Sequence, residues 1–263
     1  MYCLDKKSCN IFAACFIKKV YIMNKKNFIS LTVAAISIAV AFTSCQKDDN
    51  GKIKLLETVT EPYGQYHKYE YDSQNRITQY SKYNSSGELL ETRTLTYSGN
   101  DLVTVVFNSA TLYEFTKSGN KITSYGPQTW DLNSNGQLVK YAMKLGGNSQ
   151  LIDYLYQNGN IVKYTYSYTY EEGGTFDVID EYKYDDKKSP MHNCTTPQWY
   201  LIYSFMEIST KNNMTERKWS VDSGTGVETH TYEYDSDGYP TKCTTTNSSN
   251  GYKDITYYTY KEL

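Results

Sequence analysis

Lys163-Tyr164-Thr165-Tyr166-Ser167-Tyr168-Thr169-Tyr170 is the stretch that decides the fold. Tyrosine falls at every second position and short polar or charged residues fill the gaps, so the two sets project to opposite faces of an extended strand. On a helix the same tyrosines would be scattered around the axis. His230, Tyr232 and Tyr234 alternate in the same way with Thr229, Thr231, Glu233 and Asp235. One face of each strand is expected to pack and the other to meet water.

Working outward, the strand is bracketed by Asn158-Gly159-Asn160 and Glu172-Gly173-Gly174. Similar punctuation recurs at Ser73-Gln74-Asn75, Ser85-Ser86-Gly87, Ser98-Gly99-Asn100, Ser118-Gly119-Asn120, Ser134-Asn135-Gly136, Ser236-Asp237-Gly238 and Ser249-Asn250-Gly251. Gly and Asn tolerate the positive φ that tight hairpins require. An aromatic residue precedes the turn and a branched aliphatic follows it, as in Tyr71 and Ile77, Tyr97 and Leu102, Phe115 and Ile122, Trp130 and Leu138, and Tyr156 and Ile161. The spacing predicts roughly fourteen to seventeen strands of about 5–10 residues. No helical window stands out. The fold class is therefore all-β: an antiparallel up-and-down meander closing into a barrel or a flattened barrel-like sandwich, because closure removes exposed strand edges. A round barrel of this many strands leaves a water-filled lumen, whereas a flattened one can be filled by side chains, and the chain has 29 tyrosines to fill it. Lys68, Glu70, Arg76, Lys82 and Lys163 on these strands argue against a lipid-facing wall, where Lys or Arg costs about 2–4 kcal/mol at the midplane.

The amino end has a different character. Lys25 and Lys26 form a basic head, Phe28 to Phe42 is apolar, and Phe42-Thr43-Ser44-Cys45 then meets Gln46-Lys47-Asp48-Asp49. At about fifteen residues the apolar part is short of the roughly 20 that span a bilayer, and the layout is that of a bacterial lipoprotein signal. The expected organisation is a start codon chosen too far upstream for 1–22, a signal peptide at 23–44, a tether at 45–52 lipidated on Cys45, and a Tyr-rich domain over 53–263. The membrane is then a partner through the acyl chains, several of which are needed because one binds only marginally. The expected location is the outer membrane, at the cell surface or on the periplasmic face.

Taking away the six lysines and one aspartate before Gln46 leaves 21 basic and 28 acidic residues from totals of 27 and 29. That acidic balance repels phosphate backbones, so nucleic acid is discounted as a partner. Cys194 and Cys243 are the cysteines beyond the anchor. Outside the cytoplasm they are a disulfide or two thiols, and spacing does not decide between these.

Motifs for chemistry are scarce. Asp131-Leu132-Asn133-Ser134-Asn135-Gly136 matches the first half of a calcium loop, but Ala142 stands where a bidentate Glu belongs, and the hexapeptide fits the turn pattern equally well. His67, His192 and His230 have no metal-ligand spacing. His67 and His230 stand one step before Tyr69 and Tyr232 on the same face and read as sheet packing. The carboxylate pairs Glu171-Glu172, Asp180-Glu181 and Asp185-Asp186 read as solvated loops rather than a glycosidase dyad. No metal or cofactor is expected. Residues 185–213 break the pattern, with Pro190 and Pro197 around Met191-His192-Asn193-Cys194 and then the run Trp199 to Met206. This reads as a long connection feeding one buried strand, or as a cap on the barrel mouth. Trp130, Trp199 and Trp219 are candidate stacking platforms for a glycan, or else core residues.

Tyr69-Glu70-Tyr71-Asp72-Ser73-Gln74-Asn75-Arg76-Ile77-Thr78 and Tyr232-Glu233-Tyr234-Asp235-Ser236-Asp237-Gly238-Tyr239-Pro240 resemble the tyrosine-aspartate repeats of bacterial Rhs-type shells. Tyr184 to Pro190 and Lys211 to Thr215 resemble lipoproteins of the Bacteroidetes whose domain of unknown function is described as porin-like. Gln46-Lys47-Asp48-Asp49 resembles the acidic export tag of surface lipoproteins in that phylum, although a plain flexible tether accounts for it as well. The resemblance implies fold and address and brings no catalytic residues. The functional expectation is a non-enzymatic binding or scaffolding domain whose partner is a glycan or an envelope protein; the alternatives are a glycan-binding accessory lipoprotein or a polysaccharide hydrolase.

Overall fold

The computed structural model describes residues 53–263. The leader, Cys45 and the tether at 45–52 lie outside the described residues. The elements are β1 (Lys54–Thr60), β2 (Tyr66–Tyr71), β3 (Ile77–Tyr83), β4 (Leu89–Ser98), β5 (Asp101–Phe107), β6 (Thr111–Ser118), β7 (Lys121–Ser124) and β8 (Gln128–Leu132). They continue with β9 (Leu138–Leu145), β10 (Asn148–Gln157), β11 (Asn160–Thr169), β12 (Thr175–Tyr184), one α-helix, α1 (Gln198–Ser209), then β13 (Met214–Val221), β14 (Gly224–Tyr234), β15 (Pro240–Asn247) and β16 (Lys253–Glu262). Every strand pairs antiparallel with its sequence neighbours, and β16 pairs with β1 from Lys54 opposite Glu262 to Thr60 opposite Tyr257. The meander is thus a closed barrel, as the hairpin pattern predicts.

Register assigns the two faces. Tyr164 lies opposite Tyr154 and Asp180, and Tyr166 opposite Ile152 and Val178, all on the lumen side. Lys163 lies opposite Glu181, which lies opposite Lys218, on the outside. Similar pairs cover the wall elsewhere: Lys183 with Glu216 at 2.9 Å, Lys242 with Glu233 at 2.8 Å, and Lys140 with Asp153 at 3.5 Å. Such a wall is charged where a lipid-facing band must be apolar. Among the described residues no helix is long and apolar enough to cross a membrane.

The turn pattern has a structural meaning. Tyr71 and Ile77, Tyr97 and Leu102, and Tyr156 and Ile161 are cross-strand partners, each directly after a register shift. The polar residue after the strand closes the turn. Asp72 Oδ1 accepts from the amides of Gln74 and Arg76, Asn133 Oδ1 from Asn135 and Gln137, and Asp235 Oδ1 from Asp237 and Tyr239. Asn75, at φ 63°, and Gly136, at φ 75°, adopt the left-handed backbone that these turns need. Asp72, Asn133 and Asp235 therefore lock their hairpin turns, and Asp131–Gly136 holds one of these turns.

Sequence and structure part at residues 198–209. The sequence reading has a connection feeding one buried strand, or a cap on the barrel mouth; the chain instead forms α1, with a break at Phe205, where φ is −144° and ψ 38°. Trp199, Tyr200, Leu201 and Ile202 are successive and all buried. A helical turn that is apolar all round survives only when surrounded, and the barrel surrounds this one. Sixteen strands enclose a space too wide for the inward side chains to fill alone, and α1 occupies it. Trp199 meets Phe115 and Trp130 at ring-centroid distances of 5.1 and 5.6 Å, while Phe205 meets Tyr69 and Tyr80 at 5.7 and 5.3 Å.

The connection from β12 to β13 laces across one end of the barrel before and after α1. Asn193 Nδ2 donates to the Lys54 carbonyl and to Tyr239 Oη, the Ile77 amide donates to Thr196 Oγ1, and Asn160 Nδ2 donates to Asn212 Oδ1. Asn213, 1% exposed, is held by Asp185. Ile53 and Leu263 also meet at this end, through the Leu263 amide and the Ile53 carbonyl. The opposite end carries only short hairpin loops among the described residues.

Candidate functional site

Three cavities of about 290, 360 and 330 Å³ remain in the lumen around α1. The first lies between the C-terminal half of α1 and the strands around the β1–β16 seam; the second lies against β10–β13. Both are bordered by Met206 and Glu207, so Glu207 stands between them. The third, against β4–β8, shares Tyr203 with the second.

Glu207 is the one charged side chain of α1. It faces the lumen, where it is exposed to the water-accessible space of both cavities. Among the described residues no hydrogen bond or ion pair holds it. Burial holds its carboxyl above the usual range; Arg217 opposes that, while Glu228, Glu61 and Asp180 reinforce it. The neighbours have made their own pairings. The Arg217 guanidinium donates to Asp180 Oδ2 at 2.9 and 3.1 Å and lies 3.5 Å from Glu228. Glu61 lies 3.0 Å from His67 Nε2 and 3.9 Å from Lys82, and the His67 contact draws its carboxyl below the usual range.

His67 and His230 both line the first cavity, beside Tyr69, Tyr80, Tyr232 and Tyr258. His230 Nδ1 is 2.9 Å from Thr245 Oγ1, and its buried Nε2 has no protein partner. Burial, with Arg217 adding to it, lowers its imidazolium pKa to about 4, so His230 is neutral at pH 7. The reading of these two histidines as separate packing residues gives way to a shared chamber: closure of β16 on β1 brings strands more than 160 positions apart around one space.

Of the three candidate tryptophans, Trp130 and Trp199 are 1% and 3% exposed and pack on each other, so neither offers a free face. Trp219 is half-buried, lies opposite Gly226, and covers it so closely that a Cβ there would sit 2.2 Å from the indole. Asp180, read from sequence as part of a solvated pair, is instead 3% exposed and ion-paired in the lumen. Its place two and four residues before Tyr182 and Tyr184 on one strand is the local mark of that direction. Cys194 and Cys243 are both free thiols. His192 belongs to the lacing segment, its ring 6.2 Å from that of Tyr239. Among the described residues no three His, Cys, Asp or Glu side chains converge as metal ligands. Glu207 escaped notice in the sequence, although a single carboxylate in an otherwise apolar run is the signal that could have found it.

No protein-family model matches the chain, and no curated protein matches it. Among solved structures it is similar to a porin-like protein from Bacteroides uniformis ATCC 8492, with 18% identity and a TM-score of 0.49 over 80% of this chain and 96% of that one. It is also similar to a porin-like protein from Bacteroides vulgatus ATCC 8482, with 12% identity and a TM-score of 0.39 over 80% of this chain and all of that one.

Proposed function

We propose that this chain is a non-enzymatic envelope protein, anchored by acyl chains on Cys45, whose barrel is a closed binding chamber rather than a conduit. The observation that carries this reading is α1 seated in the lumen with a water-reached carboxylate, inside a wall whose outer face is charged. A lumen blocked by a helix does not pass solute, yet the cavities beside that helix have the size of a small-molecule site. The β12–β13 connection covers the laced end and leaves the other end of the barrel with short loops alone among the described residues. Small polar ligands would enter there. Binding to a glycan is a second reading, favoured by Trp219, whose ring lies on Gly226 and keeps part of its surface exposed.

Two measurements test the proposal. Labelled palmitate should incorporate into the wild-type chain and not into Cys45→Ala, and the purified protein should pass no current across a planar lipid bilayer. Steady single-channel conductance would overturn the binding-chamber reading, and equal labelling of both chains would overturn the anchor.

A further inference from the structure

We propose that the chamber between α1 and the β1–β16 seam takes a small organic ammonium ion, with Glu207 as its counter-ion. This rests on reading the lumen as a binding chamber. The argument is first one of charge. Glu207 is faced by Glu61, Asp180 and Glu228 and by a single guanidinium, that of Arg217. Arg217 is already committed to Asp180 and Glu228, and Glu61 to His67 and Lys82. Carboxylates therefore outnumber cations around the one that has no partner. A carboxylate facing the lumen amid an excess of negative charge attracts a cation, and a ligand that brings one relieves the repulsion.

The second observation is what the chamber is made of. Besides Glu207 it is walled by the rings of Tyr69, Tyr232 and Tyr258, and by Tyr80 and Phe205, over which the Arg93 guanidinium already lies at 4.9 and 5.6 Å. Aromatic faces attract cations, most strongly when the cation is poorly hydrated, as an alkylammonium is. A metal ion asks instead for converging oxygen, nitrogen or sulfur ligands, and no such group occurs among the described residues. His230, neutral at pH 7, adds no competing positive charge, and its Nε2 is available to a hydroxyl of the ligand. A volume of about 290 Å³ fits a molecule the size of choline or an amino sugar and excludes a polymer.

The test is calorimetric and thermal-shift titration of the full chain with choline against its uncharged isostere 3,3-dimethyl-1-butanol, with glucosamine against glucose, and with calcium chloride. The ammonium member of each pair should bind and raise the melting temperature while its uncharged partner does not. Glu207→Gln should weaken binding by about tenfold or more, since it removes the charge that pairs with the ammonium. Glu207→Asp keeps the charge and should keep measurable binding. The choline pair decides the matter in the wild-type chain even if a variant fails to fold. Equal response to charged and uncharged members, response to calcium alone, or binding by none of these probes overturns the ammonium site. Bilayer conductance is read separately, so it can sink the binding-chamber reading whatever the probes show.

Discussion

Tyr184 Oη donates to the Ile161 carbonyl at 2.6 Å, tying the end of β12 to the start of β11. The same tie recurs around the laced end: Tyr71 to Leu56, Tyr97 to Ile77, Tyr232 to Met214 and Tyr260 to Pro240, at 2.6–2.9 Å. Each reaches from an inward tyrosine late in one strand to a carbonyl at the start of the strand before it. Register shifts leave strand-starting carbonyls such as that of Ile77 off the ladder, and an unpaired buried carbonyl costs free energy. Tyr156 holds the matching place in β10, but its buried hydroxyl has no partner.

That contrast gives a prediction. Tyr184→Phe should destabilise the barrel by about 1–2 kcal/mol, because it orphans the Ile161 carbonyl. Tyr156→Phe should be neutral or slightly stabilising. Urea unfolding followed by tyrosine fluorescence measures both, and equal losses would refute the assignment.

His230 makes stability pH-dependent. Its folded pKa lies near 4 against an ordinary 6.5, so the unfolded chain binds the proton more readily. The contribution is whole above pH 6.5 and is lost as pH falls toward 4, by up to about 3 kcal/mol before screening by lumen water is discounted. In His230→Asn, melting temperatures between pH 6.5 and 4 should fall less steeply than in wild type.

Glu207 acts in the opposite sense. Its raised pKa means that the folded state holds the proton better, so the carboxylate penalises folding as pH climbs above the ordinary value of 4.5. Without ligand, Glu207→Gln should melt higher than wild type at pH 7.5, and the gain should shrink toward pH 4.5. A gain that grows on acidification would contradict this.

At the rim of the lumen, Gly226→Ala should displace the Trp219 indole, since the added Cβ and the ring occupy the same space. Trp219 emission should shift while the fold survives. Comparison with Trp219→Phe isolates its contribution from those of Trp130 and Trp199.

Trp199→Ala should empty the contact with Phe115 and Trp130 and cost about 3–5 kcal/mol, as large-to-small changes in a core do. If α1 is the plug that the packing indicates, the variant should also bind an apolar fluorescent dye that wild type excludes.

The alternation of Tyr164 to Tyr170, the Asn and Gly turns, and the pairing of Tyr71 with Ile77 were legible because a strand writes its two faces at period two and a hairpin needs residues that accept positive φ. Those local rules determined the all-β meander and the order of its strands. They did not determine α1: a short apolar run carries no period that separates a buried helix from a buried strand, and only enclosure by sixteen strands made the helix the better filling. Nor could they bring His67, Glu207 and His230 to one chamber. Their meeting depends on β16 closing against β1, a contact between the two ends of the described chain, and no local pattern encodes a distance across a barrel.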